Sequence, residues 1–252
     1  NVGVDFGALR HRQYLDLKNR GLKMVDVSGT VEQLRMVKSE EEIAAIQYAC
    51  KITDKLFEEL HARLPRLKTE RDAERFLLQR MFEHGVEPSF PPIVATHTNA
   101  ANIHHQPGAM KLKGLTVIDM GVKYKNYCSD VTRTFCVGKK NKQMIAMHRL
   151  VYDVQQECCD LVKDGADYFA VHHHAAQKLG KKMGHSVGHG LGLDVHELPF
   201  VRKTGVVLKR NMVVTVEPGV YIKGKGGVRI EDDLLVTKTG YIRLSKFPRE
   251  LL

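Results

Sequence analysis

The chain has 252 residues, 39 Lys or Arg against 29 Asp or Glu, for a formal charge of +10. With 43% hydrophobic and 27% charged residues, it has the make-up of a globular protein of one large or two small domains. No apolar run approaches the ~18 residues that a membrane-spanning helix needs, so no membrane partner is expected. The five cysteines (Cys50, Cys128, Cys136, Cys158, Cys159) are odd in number and lack C-x-x-C spacing. A disulfide framework or thiolate zinc site is therefore not expected, and a reducing, cytoplasmic compartment is. The Asn start, without a charged-then-apolar leader, reads as a processed chain or a fragment. The basic excess is scattered, with only Lys139-Lys140 and Lys181-Lys182 as short groups, and Trp is absent. A solvated basic surface is preferred to a nucleic-acid partner.

In chain order, residues 1–28 read as strand, helix, strand, too small to close a core. From Ser39 a helix is expected to run to Pro65. Ser39 and Glu42 form a capping box, and Ile43, Ile46, Cys50, Leu56, Leu60 and Leu64 keep helical spacing. A second helix runs from about Thr69 to Gly85, with Ala73, Phe76 and Met81 inward. Strand-like runs follow: PPIVAT, LTVIDMGV and CSDVTRTFCV. A third helix begins near Lys142 with the stripe Met144, Met147, Val151, Val154, Cys158, Leu161 and stops at Gly165. The vicinal pair Cys158-Cys159 is read as core packing. A fourth helix spans about Asp167 to Leu179, and its His172-His173-His174 run is read as surface. Strands return in MVVTVEPGVYI, VRIEDDLLVT and YIRLS. The order helix, helix, strands occurs twice without a linker, which indicates one internally duplicated α+β domain.

The chemistry lies in the strands. Asp119 and Asp130 flank Lys123-Tyr124-Lys125-Asn126. A hairpin turning on those four residues would put the two carboxylates directly opposite each other. Glu217 and Glu231 flank the loop Lys223–Gly227 in the same way. Carboxylates opposed in an apolar sheet either share a proton or hold a cation. Four carboxylates balance two divalent cations, the arrangement of dinuclear hydrolytic sites. GHSVGHGLGLDVHE adds His185, His189 and His196 in a glycine-dense run, and ANIHHQPG adds His104.

Together these segments resemble the pita-bread metallopeptidases: prolidase, aminopeptidase P and methionine aminopeptidase. The residues that carry the resemblance are Asp119 in IDMG, Asp130 in SDVTRTF, His189 in GHGLG, Glu217 in VEPG and Glu231 in RIED. LRMVKSEEEI, VEPGVYI and GVRIEDD look more like the Xaa-Pro branch. The resemblance implies a catalytic domain over residues 29–252, with 1–28 the remnant of an N-terminal creatinase-like domain. It implies two divalent ions held by those five residues, Mn²⁺ foremost, with Co²⁺, Fe²⁺ or Zn²⁺ as alternatives. Asp119 and Glu231 would bridge the two ions, Asp130 would chelate one, and His189 and Glu217 would complete the second. A hydroxide shared by the ions would attack the bond before proline. Glu217 would shuttle a proton and His196 would hydrogen-bond the scissile carbonyl. His104 and His185 would line the substrate pocket, and Arg229 would orient the carboxylates. The implied partners are a proline-containing peptide and a second copy in a homodimer. The competing readings are a non-catalytic relative that binds protein or nucleic acid, a methionine aminopeptidase-like enzyme and a metal-free creatinase-like hydrolase.

Overall fold

The computed structural model describes residues 1–203 and 205–252. Residues 1–28 form β1 (Val2–Val4), α1 (His11–Asn19) and β2 (Met24–Asp26), with the two strands parallel. No residue of this unit is buried. A short helix that the sequence reading missed follows, α2 (Thr30–Met36), entered through Gly29 in the left-handed region. Ser39 then caps α3 (Glu40–Arg63), and the Ser39/Glu42 box is present in full. Thr69 and Asp72 form a second box at the start of α4 (Glu70–Glu83). Along α4, Ala73 and Met81 are buried as expected, Phe76 is half-buried, and Leu77 is the fully covered residue between them.

The first half continues with β3 (Glu87–Pro88), β4 (Ile93–Thr96), β5 (Gly114–Met120), β6 (Val122–Tyr124), β7 (Tyr127–Cys128) and β8 (Val131–Val137). Strands β4, β5 and β8 make one antiparallel sheet, and β3, β6 and β7 another. The second half repeats the order with α5 (Lys142–Asp160), α6 (Tyr168–Leu179), β9 (Val213–Val216), β10 (Gly219–Ile222), β11 (Gly226–Arg229), β12 (Asp232–Val236) and β13 (Tyr241–Arg243). Helix α5 stops at Asp160, short of the expected Gly165. Leu161, assigned to its inward stripe, is consequently 41% exposed. Asp167 caps α6 by accepting from Phe169 N.

Each half has its own apolar core. Leu56, Phe57, Leu60, Leu77 and Met81 of α3 and α4 pack on Ile118, Met120 and Phe135. Val151, Val154, Cys158 and Val171 of α5 and α6 pack on Val214, Val216, Val228 and Leu234. Cys158 and Cys159 are both fully buried, as core packing requires. The halves meet edge to edge: Glu231 N donates to Thr132 O (3.1 Å), and Arg229 N to Thr134 Oγ1 (3.1 Å). Among the described residues, no helix is long and apolar enough to cross a membrane.

The first hairpin differs from its expected register. Its turn is only Lys125-Asn126, both with positive φ, the signature of a tight two-residue connection. Tyr124 therefore pairs with Tyr127, and Asp119 lies opposite Thr132, not Asp130. Asp130 sits just before β8. The second hairpin keeps its expected register: Gly219 pairs with Arg229, and Val216 with Asp232. Glu217 and Glu231 are the facing residues between these pairs.

Candidate metal centre

The sheet ends bring the five expected ligands to the floor of one cavity of about 880 Å³. Three groups of side chains each have donor atoms within 4.8 Å of one another: Asp119, Asp130 and Glu231; His189, Glu217 and Glu231; and Asp130, His189 and His196. Asp130, His189 and Glu231 each belong to two groups, whereas Asp119, Glu217 and His196 belong to one. Asp119 has a donor oxygen within reach of Asp130 and Glu231. Its Oδ2 is occupied by Arg229 Nη2 at 2.5 Å.

Each side chain is aimed by its backbone. Asp119, near the end of β5, is 7% exposed, and its Oδ1 is buried without a hydrogen-bond donor among the described residues. Asp130 is fixed from behind, because its N–H donates to Asp233 Oδ2 (2.9 Å). Glu231 Oε2 accepts from Thr132 Oγ1 (2.6 Å), in the other half of the molecule. His189 N donates to Thr215 Oγ1 (3.1 Å), and its Nε2 lies 3.4 Å from Glu217 Oε1 and 3.6 Å from Asp130 Oδ2. The neighbouring Gly188 is obligatory there: a Cβ would come within 2.1 Å of Thr215 O.

Burial, then repulsion from Glu231 and Asp119, pushes the Asp130 carboxyl well above the usual range. Burial does the same to Glu231, followed by Glu217 and Asp119, and raises Glu217 to about 8. Burial, then His196, lowers the His189 imidazole to about 3, so it is neutral and free to act as a ligand. The cluster thus has too many buried carboxylates for its positive charge, together with an orphaned oxygen on Asp119. Divalent cations would supply both the missing charge and the missing partner. Hard oxygen donors with one imidazole are a fitting set for Mn²⁺-like ions.

The remaining expected residues surround the floor. Arg229 touches the carboxylate cluster through Asp119 Oδ2, and also donates from Nε to Thr132 Oγ1 (3.0 Å) and from Nη1 to Tyr221 OH (3.1 Å). His185 Nε2 meets Tyr221 OH at 2.8 Å, and burial, followed by Arg229, lowers its imidazole to about 4. His104 and His196 are exposed but line the cavity, whose wall includes Phe90, Ile103, Val195 and Phe200. The His196 ring stands edge-on to His189, centroids 4.2 Å apart. The histidine run of α6 is only partly surface: His173 is exposed, His174 Nε2 meets Glu157 Oε2 at 2.7 Å, and His172 is half-buried.

Several supporting residues escaped the sequence reading. Arg133 is 2% exposed and donates to Asp232 Oδ1, Glu231 O and Phe247 O. The run Glu231-Asp232-Asp233 in a wholly buried strand was a signal that buried cations must lie nearby. Glu70, fully buried, accepts from Thr96 N, Asn99 Nδ2, Gly108 N and His105 and so shapes the loop carrying His104. Tyr221, between His185 and Arg229, had no sequence signal beyond its neighbours.

The description "Metallopeptidase family M24" matches residues 44–238, and the chain belongs to that family. An uncharacterized peptidase of Staphylococcus aureus is 37% identical over 233 residues, covering 89% of this chain and 66% of that relative. The chain thus spans about two thirds of the curated relative. Among solved structures, an Xaa-Pro dipeptidase from Bacillus anthracis superposes with a TM-score of 0.93 at 33% identity, covering 99% of this chain and 73% of that one. An X-Pro aminopeptidase from Thermotoga maritima gives 0.94 at 30% identity, with 99% and 74% covered. A prolidase from Pyrococcus furiosus gives 0.90 at 33%, with 98% and 76% covered. The fold is the pita-bread fold.

Proposed function

We propose that the chain is an exopeptidase that uses two divalent ions to hydrolyse the bond on the N-terminal side of proline. The observation that carries this reading is the overlap of three ligand groups at the floor of an apolar-walled cavity. Likeness to dipeptidases, prolidases and an X-Pro aminopeptidase supports the substrate class.

Asp119, Asp130, His189, Glu217 and Glu231 would hold the ions. Bound there, divalent ions supply Lewis acidity and a lowered pKa for water at the scissile carbonyl. Glu217 lines the cavity and would carry a proton at Oε to the leaving proline nitrogen. His196 would donate to the carbonyl oxygen as charge develops. His104 and His185 border the substrate, and Arg229 keeps Asp119 oriented. Residues 1–28, with nothing buried, are read as part of a further N-terminal domain. The free cysteines fit a cytoplasmic setting.

The test is hydrolysis of Gly-Pro and of an Xaa-Pro-Xaa tripeptide with Mn²⁺, Co²⁺, Fe²⁺ or Zn²⁺, beside elemental analysis. Turnover removed by a chelator is expected, with two ions bound per chain. No turnover of either peptide with any of the four metals overturns the reading.

A further inference from the structure

His196 poses a structural question. Among the described residues no hydrogen bond holds its imidazole, and the side chain is exposed, yet it stands over His189. Its aim must come from the backbone on either side. The adjacent Glu197 is anchored at every polar group. Glu197 N donates to Gly190 O (3.0 Å) and Gly190 N to Glu197 O (3.1 Å), closing the turn between the two histidines.

The Glu197 carboxylate, 7% exposed, is held by groups distant in sequence. Lys38 Nζ, on a residue 2% exposed, meets Oε1 at 2.9 Å. Arg35 meets Oε2, and Asp194 N donates to the same oxygen at 3.2 Å. Arg35 also pairs with Asp194 at 2.7 Å, so one guanidinium grips two points of the turn. Gly192 leaves the space this carboxylate fills: a Cβ there would lie 2.5 Å from Glu197 Oε1. A buried ion cluster is costly to desolvate and does little for stability against a well-packed apolar substitute. Its geometric effect is to fix the turn that carries His196.

We propose that Glu197, clamped by Lys38 and Arg35, is a positioning residue that sets the His196 imidazole over the metal centre. The stretch 30–38, which lies between the N-terminal unit and α3, thereby takes part in organising the site. The inference rests on the peptidase reading for its catalytic consequence, but not for its structural one.

Two variants test it, Glu197→Gln and the milder Arg35→Gln, which leaves the Lys38 contact in place. In metal-free protein, histidine side-chain ¹⁵N–¹H spectra should show the His196 signals shifting or broadening in both variants, while those of His104 stay put. In Mn²⁺-loaded protein, kcat for Gly-Pro should fall about tenfold or more with KM little changed, the scale of lost supporting interactions. Adding Lys38→Met to Glu197→Gln should cost little more than Glu197→Gln alone, since the clamp acts as a unit. Unchanged His196 signals in both variants overturn the proposal, as does an equal disturbance of every histidine. If the unaltered protein hydrolyses no Xaa-Pro peptide, the peptidase reading fails while the spectra still decide the positioning role.

Discussion

Arg133 and Arg229 are buried guanidiniums, one from each half, and each reaches across the seam to a carboxylate of the other half. Arg133 of β8 faces away from the cavity and binds Asp232, together with the carbonyls of Phe247 and Pro248. Arg229 of β11 faces the cavity and binds Asp119 and Tyr221. Despite burial, Arg133 and Arg243 hold the Asp232 carboxyl below its usual range, so that pairing is complete. Among the described residues, Asp119 keeps an oxygen without a partner even with Arg229 in place. The same device therefore matches the charge of Asp232 and leaves charge over for a ligand at Asp119.

The largest expected effect would break this contrast outright. Asp130→Ala, which removes a carboxylate shared by two ligand groups, should abolish turnover and the binding of at least one metal while the fold persists. Full activity in that variant would disprove the ligand assignment. Arg133→Met should lower the unfolding free energy by about 3–5 kcal/mol in a denaturant titration, the cost of breaking a buried pair. Its counterpart Arg229→Met should instead reduce kcat/KM about 10–100-fold in metal-loaded protein. A smaller stability loss than for Arg133 is expected, because bound cations still compensate Asp119. If the two variants lose stability equally, the contrast fails. Chelating the metals should remove activity and, relative to a free-metal concentration one hundredfold above Kd, about 2.7 kcal/mol of stability for each ion lost.

The smallest effect separates structural from site titration. His148, 4% exposed on α5, is lowered to about 4 by burial, with Nε2 unpartnered among the described residues. Its unfolded form binds a proton below about 6.5, so it favours folding above that pH, and this contribution is lost as pH falls towards about 4. His148→Phe should flatten the stability profile in that window without changing the metal-dependent activity. An unaltered slope would exclude His148 as its source.

Wherever the determining interactions were local, the sequence was readable. Ser39 and Glu42 announced α3 because a capping box needs only neighbours. The second hairpin kept its register because its glycine-rich loop sits symmetrically between Glu217 and Glu231. The first slipped because Lys125 and Asn126 alone make the turn, a choice of left-handed backbone that the four-residue reading did not weigh. Helix α2 was missed as a short segment entered through Gly29 without a side-chain cap.

Residue types and spacing alone determined the inventory: four carboxylates and an imidazole in strand-end and glycine-rich settings, with the alternation that buries them. The assembled molecule decided how they meet. Which carboxylate is shared, which oxygen lacks a partner and which arginine faces the cavity depend on contacts between residues about a hundred positions apart. Lys38 meets Glu197 and Arg229 meets Asp119 only because two separately packed cores bring their strand ends to one seam. Electrostatic balance in a dry interior is a property of that seam, and no local pattern encodes it.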